Sequence, residues 1–133
     1  MGEPVLHLSG HVLVSPDDEV AEAWVIGGRL TFERPSHATD VVELADGWVI
    51  PGLVDAHCHI GLDPHEVTAS AELTEDQARA DLAGGTMLIR DAGSPVDTRW
   101  IDERDDLPRI IRAGRHIARP RRYIRNFADE VEP

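Results

Sequence analysis

From residue 49 the hydrophobic pattern of this chain changes, and the change limits its fold more than any other feature. Before that point short segments alternate apolar and polar residues; after it, nearly continuous apolar runs are separated by stretches of helical character. "WVIPGLVDAHCHI" has the composition of a strand buried on both faces. "LTEDQARADLAGG" reads as a helix: Thr74 with Gln77 matches a capping box, Glu75 and Asp76 suit the positive end of the helix dipole, and Gly84-Gly85 stops it. "TMLIRDAG" is the next buried strand. "SPVDTRWIDERDDL" is a second, shorter helix with Ser94 as N-cap and Pro95 at its first position, and after Pro108 "RIIRAGRHIA" is a third strand candidate, with a helix as the alternative. Strand, helix, strand, helix, strand predicts right-handed crossovers and a parallel sheet.

Residues 5–50 read differently. "LHL" and "HVLV" alternate around the turn signal Ser9-Gly10. "AWVIGGRLTF" is a hairpin candidate, because Gly27-Gly28 takes the positive φ of a tight turn. "VVELADGWVI" repeats that logic around Asp46-Gly47. A small antiparallel sheet is expected.

Composition narrows the partners. The net charge of −12 argues against nucleic acid or an anionic membrane surface. Residues 1–90 carry sixteen acids and four arginines, residues 91–133 nine of each, so the acidic bias lies in the first two thirds. All thirteen basic side chains are arginine; lysine is absent. No run of 18 apolar residues occurs, and the N-terminus lacks a basic leader with a small-residue cleavage site. The sole cysteine, Cys58, forms no intrachain disulfide, which fits a reducing compartment. The expectation is a cytoplasmic protein without membrane or nucleic-acid partners.

"PGLVDAHCHI" carries the chemistry. On a strand, positions two apart share a face, so His57 and His59 project together, about 6.6 Å apart at the backbone, with Asp55 on their side and Cys58 on the other. Two imidazoles on one face suit one metal ion. Asp55 is expected to orient an imidazole rather than to ligate. Cys58 is expected to be a packed side chain, since a nucleophilic role needs a base that cannot be placed.

The order of a small N-terminal β segment, "IPGLVDAHCHI", "GGTMLIRDAGSP" and "LPRIIRAGRHIA" resembles the amidohydrolase superfamily, in particular its imidazolonepropionase-like and Xaa-Pro-dipeptidase-like branch. The resemblance spans essentially the whole chain, its strongest part being "PGLVDAHCH". It implies an α/β protein with an N-terminal β-sandwich part at 1–50, followed at 51–133 by the first about three βα units of a (β/α)8 TIM-type barrel that stays incomplete. It further implies a metal-dependent hydrolase acting on amide-type C–N bonds of a small-molecule amide, dipeptide or cyclic amide through metal-activated water. His57 and His59 would ligate one or two divalent ions, zinc by default. The family's later ligands and its aspartate base lie beyond the strands this chain contains, and a carbamylated lysine cannot come from it. Alone, the chain is expected to hydrolyse little. It would associate with the rest of the barrel or form a homo-oligomer, because unpaired strand edges seek cover.

Other candidates have bland readings. His65 lies on the loop after the first strand, Arg90 and Asp91 close the second strand and are expected to pair, and His116 ends the third strand candidate near the pocket. His7, His11 and His37 fall in the N-terminal β region and read as surface or structural. "RIIRAGRHIARPRRYIRNF" reads as a solvated or covered face rather than a nucleic-acid site. A second functional reading is a non-catalytic interaction domain that keeps the strand pattern without a complete site.

Overall fold

The computed structural model describes residues 4–36, 41–63, 70–125 and 127–132. The chain forms two compact units, Met1–Pro51 and Gly52–Pro133. Among the described residues no helix is long and apolar enough to cross a membrane.

The first unit is one four-stranded sheet in the order β3-β2-β1-β4, from β1 (Val5–Ser15), β2 (Asp18–Ile26), β3 (Arg29–Thr31) and β4 (Val41–Val49). The Gly27-Gly28 hairpin forms as expected, with φ of 55° and 70°, the two left-handed conformations that a tight hairpin turn demands. The other two turn signals do not make turns. β1 runs straight through Ser9-Gly10 and β4 through Asp46-Gly47, and the two strands pair in parallel, so the sheet is mixed. The reason lies in where the glycines meet. Gly10 is the cross-strand partner of Gly47, with φ of 132° at Gly10 and 62° at Asp46, and the ladder slips there. A Cβ on Gly10 would stand 2.4 Å from the Gly47 carbonyl oxygen. The turn-type residues thus serve a bulge, which needs the same backbone freedom as a turn. Val5, Leu8, Val12, Ala23 and Trp24 are buried, whereas β4 leaves Val42, Leu44 and Trp48 exposed. The second layer that a sandwich requires is not among the described residues.

The second unit holds β5 (Leu53–Cys58), α1 (Ala71–Ala83), β6 (Thr86–Asp91), a 3-10 helix (Arg99–Glu103), β7 (Arg109–Arg112), β8 (His116–Ala118) and β9 (Ala128–Glu130). β5-β6-β7 is a parallel sheet, as the strand–helix alternation predicts. β8 and β9 pair in parallel apart from it.

Four local expectations are corrected. The apolar run from residue 49 is broken at Pro51-Gly52, and β5 is short, with Leu53 50% and Val54 57% exposed. The buried cluster Ile60, Ala78, Ile89, Ile101, Leu107 and Ile110 draws on the sheet, α1 and the 3-10 segment, and nothing among the described residues covers Leu53, Val54, Met87 and Ile111. α1 begins earlier than expected. Ser70, in extended conformation, is its N-cap, and its Oγ accepts from the Leu73 N–H at 3.1 Å. Thr74 is therefore inside the helix, buried, its hydroxyl donating to the Ser70 carbonyl at 2.8 Å. "SPVDTRWIDERDDL" makes only the 3-10 helix. The Ser94 hydroxyl accepts from the Val96 N–H at 3.2 Å in a local turn, and Arg112 donates to Thr98 Oγ1 at 2.7 Å and to Asp102 at 3.0 Å, which ties the short helix to β7. "RIIRAGRHIA" splits at Gly114, whose φ of 87° ends β7 before His116 starts β8.

Candidate metal centre

The histidine pair stands where β5 gives way to a loop. His57 lies in the strand and His59 just beyond its end at Cys58. Their rings are 5.5 Å apart between centroids and nearly perpendicular, at 79°.

The orientation of His59 is set from three directions. Its Nδ1 lies 2.9 Å from the carbonyl oxygen of Gly93, and a carbonyl only accepts, so Nδ1 is the donor and Nε2 is the ring nitrogen outside this contact. The buried Phe127 meets the ring edge-on at 5.2 Å and 82°. The backbone that follows is clamped to α1. Gln77 Oε1 accepts from the Gly61 N–H at 2.7 Å, and Gln77 Nε2 donates to the Leu62 carbonyl at 2.9 Å. Gly61 has φ of 84°, and a Cβ there would lie 2.6 Å from Thr74 Oγ1.

Asp91 extends this arrangement inward. It is buried, and its carboxylate accepts from the Gly93 N–H at 3.1 Å, so it holds the residue whose carbonyl, one peptide further on, receives His59. Burial pushes its pKa up, against the pull of the Gly93 and Ile60 N–H groups and the charge of His59. The expected Arg90–Asp91 pair is thereby replaced. Successive strand residues face opposite ways, and Arg90 is exposed while Asp91 is not.

Asp55 does not turn toward an imidazole ring; its carboxylate accepts from the backbone N–H of His57 at 3.0 Å. It fixes the strand end rather than a ring. Cys58 packs against the buried cluster, and its thiol is pushed up to about 12 by burial and by the charges of Asp55, Asp91 and Asp81. A thiol so protonated is no nucleophile near neutral pH. His116 opens β8 and stacks on Tyr123 at 3.8 Å, rather than ending the third strand. His7 and His11 belong to the first unit, His7 stacked on Trp24 and His11 on Trp48. His37 and His65 lie outside the described residues.

Sequence reasoning missed Gly93, Gln77 and Phe127. Gln77 carried a signal, since it falls on the helix, but its capping-box reading assigned it to the wrong loop. Gly93 acts through its carbonyl, which no residue type announces.

No protein-family model matches the chain. It is 49% identical over 129 residues to an uncharacterized protein of Mycobacterium tuberculosis, covering 96% of this chain and 33% of that protein. It is 31% identical over 116 residues to an adenine deaminase of Chelativorans sp., covering 75% of this chain and 18% of the deaminase. The chain thus spans about a third of the length of the mycobacterial relative. Its fold is similar to part of a Xaa-Pro dipeptidase solved with bound methionine, at a TM-score of 0.65 and 22% identity, over 88% of this chain and 34% of that one. An uncharacterized protein of known structure aligns at a TM-score of 0.69 and 20% identity, over 97% of this chain and 40% of that one.

Proposed function

We propose that this chain is a portion of a metal-dependent amidohydrolase, with β5-β6-β7 as the first strands of its barrel and His57 and His59 as two of its metal ligands. The observation that carries the reading is the His59 Nδ1–Gly93 contact of 2.9 Å, because metal-ligating histidines characteristically donate their other ring N–H to a carbonyl or carboxylate. The dipeptidase fold neighbour and the adenine deaminase relatives support the same class, hydrolysis at carbon–nitrogen bonds.

The residues fit such an ion in part. Neutral imidazoles suit zinc and its neighbours, and a catalytic zinc usually has three protein ligands. Among the described residues no group of three or more His, Cys, Asp or Glu converges, so the remaining ligands come from elsewhere in the assembled protein. When bound, one or two ions of this kind would supply Lewis acidity to a water and to the scissile carbonyl of a small amide or peptide. This chain would present Nε2 of His59 in a fixed direction, keep Asp91 behind it as a positioning group, and hold Phe127 against its ring.

Zinc titration followed by NMR of the imidazole resonances tests the assignment. His57 and His59 are expected to shift together and saturably, with little or no amide hydrolysis by the chain alone. Unchanged zinc binding after His57→Ala with His59→Ala, or no response of either ring, would overturn it. A non-catalytic interaction domain is the second reading, favoured by the exposed Leu44, Trp48 and Val54. A native mass of a metal-free monomer would select it.

A further inference from the structure

We propose that His7 is a proton-operated clasp for β4. With both ring nitrogens protonated it ties the first half of that edge strand to the sheet, and on losing a proton it lets that half part from β1. The device belongs to the first unit and does not rest on the hydrolase reading above. β4 is the strand on which it can act. It lies at one end of the order β3-β2-β1-β4, and its side chains from Val41 to Trp48 are all exposed. Its parallel ladder with β1 is also divided at the Gly10–Gly47 slip, so the pairs from Val5–Val41 to Leu8–Leu44 form a short stretch of their own.

Two histidines of β1 reach across to β4, one on each side of that slip. His7 stands between its register partners, Trp24 of β2 and Glu43 of β4. Its ring stacks on Trp24 at 4.9 Å, its Nδ1 lies 2.6 Å from Glu43, and its Nε2 lies 3.0 Å from Glu22 of β2. His11 stacks on Trp48 at 4.3 Å, and its Nδ1 lies 2.6 Å from Glu19. His11 therefore holds β4 by a ring face, whereas His7 holds it by a proton. An ionised carboxylate only accepts, so both His7 contacts are hydrogen bonds only when the ring carries two N–H groups, as imidazolium. With one proton gone, one ring nitrogen turns a lone pair toward a carboxylate, and Glu22 and Glu43 lose the cation between them.

β4 is the element that yields. β2 is paired on both sides, with β1 and β3, and buries Ala23 and Trp24 beside Glu22, whereas β4 has β1 as its one neighbour among the described residues. The charged groups around His7 are Glu22 from β2, Glu43 from β4 and Arg34 from the stretch after β3, which line one cavity of about 330 Å³ with it. His11 and Glu19 stand further along β1 and β2. Burial opposes the charge of His7, but the hydrogen bonds and charges of Glu22 and Glu43 outweigh it and raise its pKa above 6.5. A raised folded-state pKa means that the clasp is shut below pH 6.5 and opens as pH rises through the raised value. β4 leads through Pro51 and Gly52 into β5, so the strand held by this proton is the one that precedes the strand of His57 in the chain.

Amide hydrogen exchange of the full chain tests the clasp, as protection relative to intrinsic exchange at about pH 6 and about pH 8.5. Between these values the β1-bonded amides of Val41 to Leu44 should lose about three- to fivefold in protection, the range of a half-exposed ion pair. Those of the β2–β3 hairpin, from Val25 to Leu30, should change by less than about twofold. Nitrogen shifts of the His7 ring should show two N–H groups at about pH 6 and one at about pH 8.5. Glu43→Gln, at an exposed position, should abolish the pH dependence of the Val41–Leu44 stretch. Glu22→Gln should retain it, and so should His11→Phe, which keeps a ring against Trp48. The proposal is overturned by equal loss in the hairpin, by unchanged protection from Val41 to Leu44, or by a His7 ring with one N–H at about pH 6. It is equally overturned if the pH dependence survives Glu43→Gln or disappears in His11→Phe.

Discussion

Gln77→Ala removes the clamp between α1 and the backbone that carries His59, and its cost can be worked from two contacts. The carboxamide satisfies the Gly61 N–H at 2.7 Å and the Leu62 carbonyl at 2.9 Å, both in partly buried surroundings. Losing a partner at each group costs about 1 kcal/mol, since water reaches a half-buried site and replaces part of the bond. The sum, about 2 kcal/mol, corresponds to roughly a 30-fold rise in local opening at 1.4 kcal/mol per decade. Native-state amide exchange at Gly61 reads that opening directly. The effect should stay local, because α1 remains seated through buried Thr74 and Ala78 and through Glu75, which pairs with Arg79 at 2.7 Å and Arg104 at 3.2 Å. Gln77→Glu keeps the acceptor for Gly61 but sets a carboxylate oxygen against the Leu62 carbonyl, so Gly61 should exchange at an intermediate rate. If His59 ligates zinc as proposed, Gln77→Ala also weakens zinc about tenfold by releasing the ring's backbone. The reasoning is refuted if Gly61 exchange rises less than about threefold, or if the amide of Ile89 in the core accelerates as much as that of Gly61.

Two further outcomes concern the first unit. Gly10→Ala, whose new methyl would stand 2.4 Å from the Gly47 carbonyl at φ 132°, should destabilise it by about 2–4 kcal/mol, while Gly28→Ala, at φ 70° with nothing within 4 Å, should cost only about 1 kcal/mol. Urea midpoints compare them, and equal losses would contradict the bulge argument. His7 is held between Glu43 at 2.6 Å and Glu22 at 3.0 Å; burial opposes its charge, but the two carboxylates outweigh burial and raise its pKa above 6.5. Because the folded-state pKa is raised, the stabilisation is complete below pH 6.5 and is lost as pH rises through the raised value. Fluorescence of Trp24, stacked on His7 at 4.9 Å, should show a transition above pH 6.5 that Glu43→Gln moves down, and a midpoint at or below 6.5 would count against the clamp.

What could be read in advance was whatever follows from local periodicity. The parallel order of β5, β6 and β7 came from apolar runs spaced by one helix and one polar stretch, and the Gly27-Gly28 hairpin from two adjacent residues free to take positive φ. What could not be read depended on which partner a flexible dipeptide would meet. Ser9-Gly10 and Asp46-Gly47 have the composition of turns, yet they face each other across a ladder, where the missing Cβ permits close approach instead. Ser94 looked like a cap because Pro95 follows it, but the helix it would have opened is replaced by a 3-10 turn that Arg112 fastens from β7, a long-range contact no local pattern contains. Burial failed for a related reason: Leu53, Val54 and Ile111 are apolar enough for a two-sided core, and the described residues cover only one side of it.

The histidine pair shows how a sound expectation can rest on an incomplete cause. Strand alternation was the reason for placing His57 and His59 on one face, but β5 ends at Cys58, so alternation does not govern His59 at all. The rings are neighbours at 5.5 Å because the Gly93 carbonyl accepts from the Nδ1–H, Asp91 accepts from the Gly93 N–H, Phe127 meets the ring edge, and Gln77 anchors the residues that follow. Those groups come from three segments of the second unit: the end of β6 with the residues just after it, α1, and the stretch before β9. A ring fixed by strand geometry would keep its direction in any edge strand with the same two histidines; a ring fixed in this way keeps it only while β6, α1 and the 115–130 segment are in place. The direction of Nε2, and with it any ion it binds, is therefore a property of the folded unit rather than of the His-x-His motif. A peptide spanning residues 51–60 should bind zinc without the ring arrangement seen here.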